Sequence, residues 1–226
     1  EFDKKSAAQC YNCMALVNCC AGGTRVVRRF IETMAMERPG GPLRILDIGS
    51  GVCDIPIAVS LWARKRGLKV RYACVESSGH AIQLARERLS RADVPEIHLL
   101  QEDIFKHQPS EPYDCATASL CFHHFKNEDI LALLRRLRSF VRTGVLINDL
   151  RRSPAAWLGG GLVSLPLPFA ARHDGLLSIR RGFKVDELKA LLQQLDDCTV
   201  SVRPAPFFRI AGVVRFGIAL TSSPTA

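Results

Sequence analysis

The most informative part of this chain is the stretch Leu43-Arg-Ile-Leu-Asp-Ile-Gly-Ser-Gly-Val-Cys-Asp54. Its apolar run predicts a buried parallel strand, Gly49-Ser50-Gly51 predicts a tight turn, and the pattern over 55–66 predicts a helix. A strand, a glycine turn and a helix in this order form a nucleotide-binding unit. A dinucleotide fingerprint has a third glycine where Asp54 stands, so a pyrophosphate would meet a carboxylate there. Asp47 before the glycines and Asp54 after them suit a cationic ligand without phosphates.

This stretch resembles motif I of the class I S-adenosylmethionine (SAM)-dependent methyltransferases, in which an acidic residue precedes G-x-G-x-G. Asp47, Gly49 and Gly51 match the motif, and Cys53 replaces its third glycine. The resemblance implies that SAM, a sulfonium cation, is the cofactor and that S-adenosylhomocysteine (SAH) is the product. In this stretch the cofactor-binding residues that it implies are Asp47, Gly49, Ser50, Gly51 and Asp54.

A second strand is predicted over Lys69–Val75, and it ends at Glu76. Members of the family place an acid here that binds the ribose hydroxyls. A carboxylate suits two vicinal hydroxyls because it can accept both hydrogen bonds. Ser77, also assigned to the cofactor site, and Ser78 can cap the helix that follows.

A third strand, Glu96–Leu100, leads to the residues that the resemblance places around the adenine ring. Asp103 would accept a hydrogen bond from the adenine amino group, and Ile104 would cover the ring. Glu102 is the competing acid if the correspondence shifts by one residue. Ser119, near the end of the next strand, completes the predicted cofactor site.

The fourth strand, Tyr113–Leu120, runs into Cys121-Phe-His-His-Phe125. This segment resembles the "LHHF" segment that follows the same strand in many small-molecule methyltransferases. Open α/β sheets keep their sites at the carboxyl ends of the strands, where this segment begins. A histidine can remove a hydroxyl proton near neutral pH. His123 and His124 are therefore the preferred candidates for a catalytic base, and His173 is the next.

Helix and strand patterns alternate from residue 43 to residue 149, which is typical of a doubly wound parallel sheet. The fold class predicted is α/β, Rossmann-like, with a mostly parallel seven-stranded sheet. One domain over 1–226 is expected. It would comprise an N-terminal helical cap (1–40), a SAM-binding core (41–150), an inserted lid after strand five (151–183), and a closing helix with antiparallel strands (184–226). Strand five is expected over Val145–Asp149, and the last strand over Phe207–Phe216.

The lid contains an almost wholly apolar run, Ala155–Ala171. Because it is broken by glycines and prolines and is shorter than about 20 residues, it is not expected to span a bilayer. It is expected to cover an apolar or aromatic acceptor, with peripheral membrane contact or a plain buried helix as alternatives. The following segment, Arg172–Phe183, resembles one in methyltransferases of ubiquinone, menaquinone and polyketide pathways. That resemblance implies O-methylation of a phenolic, quinone-precursor or polyketide-type hydroxyl rather than C-methylation.

Two other function classes remain open. The formal net charge of +9 invites an RNA or protein methyltransferase. The arginine pairs are scattered along the chain, which argues against a nucleic-acid partner. Methyltransferases that act on amino groups have an Asn-Pro-Pro-Tyr type of motif after the fourth strand, and this chain has Ser119–Phe122 there instead. A non-catalytic SAM-binding protein is the other alternative. The oligomeric state is left open.

The nine cysteines of this α/β chain are expected to be reduced thiols. Four of them, at 10, 13, 19 and 20, fall on one predicted helix, Ala7–Cys20. Four tetrahedral ligands on one helix is poor geometry for zinc, so no metal site is predicted. The opening residues lack the pattern of a secretory signal, and a cytoplasmic protein is expected.

Overall fold

The computed structural model describes residues 11, 15, 18, 22–38, 40–163 and 169–217. Tyr11, Ala15 and Asn18 are helical, and the four N-terminal cysteines lie outside the described residues. These ranges contain seven strands and seven α-helices with described bounds. The strands are β1 (Leu43–Ile48), β2 (Val70–Glu76), β3 (Ile97–Gln101), β4 (Tyr113–Ser119), β5 (Val141–Leu150), β6 (Cys198–Ala205) and β7 (Arg209–Phe216). The helices are α1 (Gly23–Glu37), α2 (Asp54–Lys65), α3 (Gly79–Ala92), α4 (Asn127–Leu137), α5 (Pro154–Val163), α6 (Phe169–Arg181) and α7 (Val185–Leu192).

The strands form one seven-stranded sheet in the order β3-β2-β1-β4-β5-β7-β6. The first five run parallel, and β7 pairs antiparallel with β5 and with β6. The order reverses between β1 and β4, and in an open α/β sheet such a switch point places the ligand crevice beyond the carboxyl ends of the strands. The predicted Rossmann-like, mostly parallel seven-stranded sheet is confirmed.

Two apolar layers cover the sheet, one on each face. On one face, α1, α2 and α3 contribute Val27, Val59 and Ala85 to a buried cluster with the strands. On the other, α4 and α7 contribute residues such as Leu134 and Leu188, both fully buried. Replacing a side chain as deeply buried as Leu134 by alanine costs about 2–5 kcal/mol. These layers fix the strand ends that present the polar residues.

Local signals set the starts of several elements. The Oγ of Ser78 accepts a hydrogen bond of 3.3 Å from the amide of Ala81, which caps α3 as its sequence predicts. Glu128 and Asp129 lie in the first turn of α4, where the helix dipole favours negative charge. The helix before them is one turn of 3₁₀ type, Phe122–His124, and it carries the two histidines.

Most predicted element boundaries are shifted by a residue or more, and the differences at β5, the lid and β7 have structural causes. β5 begins at Val141, four residues before the predicted start. The apolar run of the lid is divided between α5 and α6, so the segment after it, expected to be a separate polar stretch, belongs mostly to α6. β7 begins at Arg209 because the preceding residues 206–208 form the turn of a hairpin. Pro204 lies within β6, which tolerates proline because it is the edge strand.

Candidate active site

Two loops meet at the carboxyl edge of the sheet. The loop after β1 contains Gly49 with φ 63°, and its amide donates to the carbonyl oxygen of Val75 at 2.9 Å. A Cβ built on Gly49 would stand 2.6 Å from the Sγ of Cys121, which belongs to the loop after β4. Only glycine fits this position, because it combines a positive φ with a close neighbour. The loop after β1 therefore lies directly against the loop that carries the histidines.

The carboxylate of Glu76 is held beside the same glycine turn. Its two oxygens accept hydrogen bonds from the amides of Gly51 and Ser78, at 2.9 and 2.8 Å. Gly51 has φ 53°, and no atom of the described residues lies within 4 Å of where its Cβ would stand. A ligand can therefore approach the backbone closely at this position. Ser50, in the glycine turn, is buried, and Ser77, which follows Glu76, is exposed.

A second acid, Asp47, is buried at the end of β1, with 3% of its surface exposed. The hydroxyl of Thr117 donates to its carboxylate at 2.6 Å. Burial, together with the nearby charges of Asp54 and Glu76, raises the pKa of Asp47 to about 7, although the hydrogen bond from Thr117 opposes this change. The mouth of the site is therefore a region of negative potential that favours a cationic ligand.

The side-chain amide of Asn18 links Asp54, the first residue of α2, to Arg209 of β7. The Nδ2 of Asn18 donates to Asp54 at 2.9 Å, and the Oδ1 of Asn18 accepts from Arg209 at 2.5 Å. Burial raises the pKa of the Asp54 carboxyl, and the hydrogen bond from Asn18 opposes this. This connection joins the N-terminal segment, the glycine loop and β7.

The residues predicted to surround an adenine ring follow β3. Asp103 is exposed, and its Oδ1 accepts from the amide of Phe105 at 3.0 Å. Ile104 is buried among the apolar side chains of the sheet face. The competing acid Glu102 lies 3.1 Å from the Nδ1 of His107. Because Glu102 already has this neighbour, the geometry favours Asp103 as the residue available to a ligand.

His123 and Asp149 form a buried pair between the loop after β4 and the end of β5. The His123 Nδ1 lies 2.7 Å from Oδ1 of Asp149, and the His123 amide donates to Oδ2 at 3.2 Å. Burial would raise the pKa of Asp149, but the hydrogen bond and charge of His123, with the amides of Leu150 and His123, outweigh it, so this pKa is lowered. An ionised carboxylate only accepts hydrogen bonds, so Nδ1 of the neutral ring carries the hydrogen and Nε2 keeps a lone pair. Within the described residues, this buried Nε2 has no hydrogen-bond partner.

The other two candidate bases lie in different surroundings. The ring of His124 has its centroid 4.0 Å from that of His123. Burial lowers the pKa of His124, and the neighbouring His123 and Arg181 lower it further, against Asp149. His173 lies at an exposed position of α6. The hydrogen bond to a buried carboxylate distinguishes His123 from its neighbour His124.

Ser119 lies at the end of β4, where its Oγ accepts from Nδ2 of Asn148 at 3.1 Å. The same amide group is 3.3 Å from the carbonyl oxygen of Gly23, so it ties β4 and β5 to the start of α1. Sequence reasoning assigned no role to four polar residues that the structure brings to this edge: Asn18, Thr117, Asp149 and Arg209. A signal for Asp149 was present, because it ends a predicted strand as Glu76 does.

Known methyltransferases resemble this chain in sequence pattern and in fold. Residues 45–144, which run from within β1 to the start of β5, match the model of a family described as methyltransferase domain. The plantazolicin methyltransferase BpumL, solved with a triazolic desmethylPZN analog and SAH, superposes with a TM-score of 0.69 over 95% of this chain and 96% of its own, at 16% identity. The fold is that of the class I methyltransferases.

Two further solved methyltransferases share it. The CMeT domain of the citrinin polyketide synthase has a TM-score of 0.64 at 18% identity, over 88% of this chain and 53% of that one. Magnesium protoporphyrin IX methyltransferase from Synechocystis PCC 6803, solved with SAM, has a TM-score of 0.56 at 13% identity, over 86% of this chain and 80% of its own. No curated protein sequence matches the chain. The predicted resemblance to class I methyltransferases is confirmed.

Three other features of the described ranges bear on the remaining predictions. None of the helices seen there is long and apolar enough to cross a membrane. In the same ranges, no three histidine, cysteine, aspartate or glutamate side chains form a cluster that could hold a metal ion. The described cysteines are free thiols, four of them buried in the core and Cys198 half-buried.

Proposed function

We propose that this methyltransferase-fold chain transfers a methyl group from SAM to a hydroxyl of a small, largely apolar molecule, with His123 as the general base. The observation that carries the proposal is the buried 2.7 Å contact between His123 and Asp149 at the carboxyl edge of the sheet. The loop that contains His123 lies against the glycine loop through the close approach of Cys121 to Gly49. A base is thus built into the wall of the nucleotide site.

The residues present fit SAM. Asp47, Asp54 and Glu76 bring three acids to the place where a sulfonium and an ammonium group would lie. The pKa of Asp47 is raised mainly by burial, and the charges of Asp54 and Glu76 add to that effect. Glu76 is oriented by two backbone amides at the end of β2, which suits it to the ribose hydroxyls. Asp103 is available for the adenine amino group. When bound, SAM supplies an electrophilic methyl group.

The dyad supplies the proton acceptor. Nε2 of His123 takes the proton of the acceptor hydroxyl, while Asp149 remains ionised and stabilises the imidazolium through Nδ1. The acceptor oxygen forms a bond to the methyl carbon as the carbon–sulfur bond breaks, and the electron pair of that bond passes to sulfur. Alignment of the oxygen with that bond and exclusion of water are the remaining contributions of the protein.

The acceptor class follows from the dyad and from the lid. A positioned base is needed for a hydroxyl with a pKa above neutrality, and it contributes little to the methylation of an activated carbon or a neutral amine. The lid helix α5 is rich in apolar residues, with Ala156 buried and Trp157 half-exposed. A phenolic, quinone-precursor or polyketide-type hydroxyl fits both. The solved relatives include enzymes named for plantazolicin, for a porphyrin and for a polyketide synthase.

The test incubates the protein with SAM and separate panels of phenols, quinols, peptides and RNA, and reads a methyl-sized mass gain. We expect methylation of a phenol or quinol, and a fall in kcat of about 100-fold or more in His123→Ala. SAH affinity should stay the same in that variant. His98→Ala, at an exposed position of the edge strand β3, is the matched control.

Other outcomes would contradict the proposal. Methylation restricted to RNA or to peptides would replace the acceptor class. SAM binding without methylation of any panel would indicate a non-catalytic binding protein. Full activity in His123→Ala would remove the base from the mechanism while leaving the methyltransferase activity in place.

A further inference from the structure

Arg209 lies at the same edge of the sheet as the His123–Asp149 pair. It is the first residue of β7, is paired in register with Leu150, and has only 1% of its surface exposed. Burial lowers its pKa to about 10, and the carboxylates of Asp149 and Asp54 oppose that change. The guanidinium is therefore a cation at neutral pH. A buried cation is expected to lie in contact with an anion.

No carboxylate in the described part of the chain makes that contact. One guanidinium nitrogen donates to the neutral amide oxygen of Asn18, at 2.5 Å. The other terminal nitrogen, Nη1, is buried and has no partner among the described residues. The two acids in its surroundings are engaged elsewhere, Asp54 with Asn18 at 2.9 Å and Asp149 with His123 at 2.7 Å.

The guanidinium lies against the start of helix α1. A Cβ on Gly23 would stand 2.9 Å from Cζ and Nη2 of Arg209 and 3.2 Å from Nη1. The N-cap residue, Gly22, provides no side-chain hydrogen bond, and the first turn contains no acidic residue. A helix start that is left uncapped presents donor amides and positive potential. The glycine at 23 thus permits a guanidinium and a helix N-terminus to meet, although both are electropositive.

We propose that Arg209 and the first turn of α1 bind a carboxylate of a ligand in the active site, an inference that rests on the proposed function. A guanidinium matches a carboxylate through two parallel hydrogen bonds, and the unpartnered Nη1 is the donor available for this. Asp54 and Asp149 face the same region and would repel a second negative charge. The proposed site therefore suits a single carboxylate, or a zwitterion whose ammonium lies toward Asp54, better than a dianion. Two sources supply this chemistry: the methionyl end of the cofactor, and an acceptor that is itself an acid.

The first arm of the test compares two cofactor-derived ligands by calorimetry. SAH has the carboxylate, and its decarboxylated analogue, S-adenosyl-3-thiopropylamine, keeps the ammonium and lacks it. If the cofactor is the source, wild-type protein binds SAH about 30-fold or more tightly than the analogue, the scale for losing one partner of a buried charge pair. Arg209→Gln should remove that difference by weakening SAH alone.

The second arm compares acceptors. Aromatic hydroxy acids are assayed beside their methyl esters with wild-type protein and with Arg209→Gln. If the acceptor is the source, the variant keeps its SAH affinity, and the preference of kcat/KM for acids over esters falls about 30-fold or more. KM should change more than kcat, because the guanidinium does not take part in proton transfer.

Arg209→Lys and Arg215→Gln complete the design. The lysine keeps the charge without the planar pair of donors, so this variant should retain part of the discrimination. It therefore separates a loss of carboxylate recognition from a folding defect in Arg209→Gln. Arg215 lies on the same strand and pairs with exposed Glu37, so its variant should behave as wild type. Discrimination that persists unchanged in Arg209→Gln in both arms overturns the inference and makes Arg209 a structural cation. Failure of the wild-type protein to bind SAH at all overturns the proposed function as well, so the two failures are distinguishable.

Discussion

His123 and Asp149, which are 26 residues apart in sequence, meet at 2.7 Å with both side chains buried. The carboxylate is oriented by the amides of His123 and Leu150, so it cannot turn away from the ring. Such a pair fixes both the tautomer and the direction of the imidazole. The relationship separates His123 from its sequence neighbour His124, which makes no such contact in the described structure.

Asp149→Asn should lower kcat by about 100-fold or more, because an amide can donate to Nδ1 and so favour the tautomer with hydrogen on Nε2. SAH affinity should be unchanged, and the measurement is steady-state kinetics beside calorimetry. Asp103→Asn offers a contrast, since it should weaken cofactor binding and leave the pH dependence of kcat intact. An Asp149→Asn enzyme with wild-type kcat would show that the pair is structural.

SAM binding should release protons near pH 6. Asp47, with its pKa raised from 3.8 to about 7, is mostly protonated there in the free protein, and a cationic ligand favours its ionised form. Affinity should therefore rise from pH 5 to pH 8. Calorimetry in buffers of different ionisation enthalpy measures the released protons, and Asp47→Asn should abolish the release. Proton release that persists in that variant would assign it to another group.

The raised pKa of Asp47 also makes the stability of the folded protein depend on pH. Because the pKa of Asp47 is raised in the folded state, its contribution is fully present below pH 3.8 and is lost as the pH rises through about 7. In the absence of ligand, Asp47→Asn should accordingly gain free energy of unfolding at pH 8 relative to wild type, and less at pH 5. Urea unfolding at the two pH values measures this, with Glu111→Gln, an exposed acid far along the chain, as the control. An equal change at both pH values would contradict it.

Gly49→Ala should be destabilising for two separable reasons. A non-glycine residue at φ 63° costs about 1–2 kcal/mol, and contact with the Sγ of Cys121 adds about 1–3 kcal/mol of overpacking. Cys121→Ala in the same chain should recover the second part and leave the first. Urea unfolding of both single variants and the double variant gives the coupling free energy. Strictly additive effects would mean that the two loops do not touch in solution.

Phe207→Asn should stabilise the protein by about 0.5–1 kcal/mol, since asparagine tolerates the left-handed conformation that phenylalanine adopts there at a cost. Phe207 has φ 56° and is 63% exposed, and its ring lies beside Gly22, so only a small amount of packing is lost. Phe208→Asn is the matched comparison. Its φ is 60°, but its ring lies against Gly159 of α5, so the gain should be offset. Thermal unfolding distinguishes the two, and a loss of stability in Phe207→Asn would show that the ring is needed at the turn.

Much of the fold could be predicted because its signals are local. The strand–glycine–helix stretch over 43–66, the cap at Ser78 and the alternation of apolar runs depend on neighbours within a few residues, and these elements form as expected. The boundaries that were wrong depend on distant partners. β5 begins at Val141 because it pairs with β4, starting opposite Tyr113, and the start of β7 at Arg209 is fixed by the register with Ala205 across the hairpin.

The sheet, the glycine loop and the order of the acids Asp47, Glu76 and Asp103 could be predicted from the chain alone, because each acid lies near the carboxyl end of its own strand. The pairing of His123 with Asp149, and the approach of Asn18 and Arg209 to the same edge of the sheet, became visible only in the folded structure. The contact between Arg209 and Asn18 joins residues 191 positions apart, and that between Thr117 and Asp47 joins residues 70 apart. Hydrogen bonds across such separations leave no periodicity in the chain, because their geometry is created by the packing of strands and helices around the site.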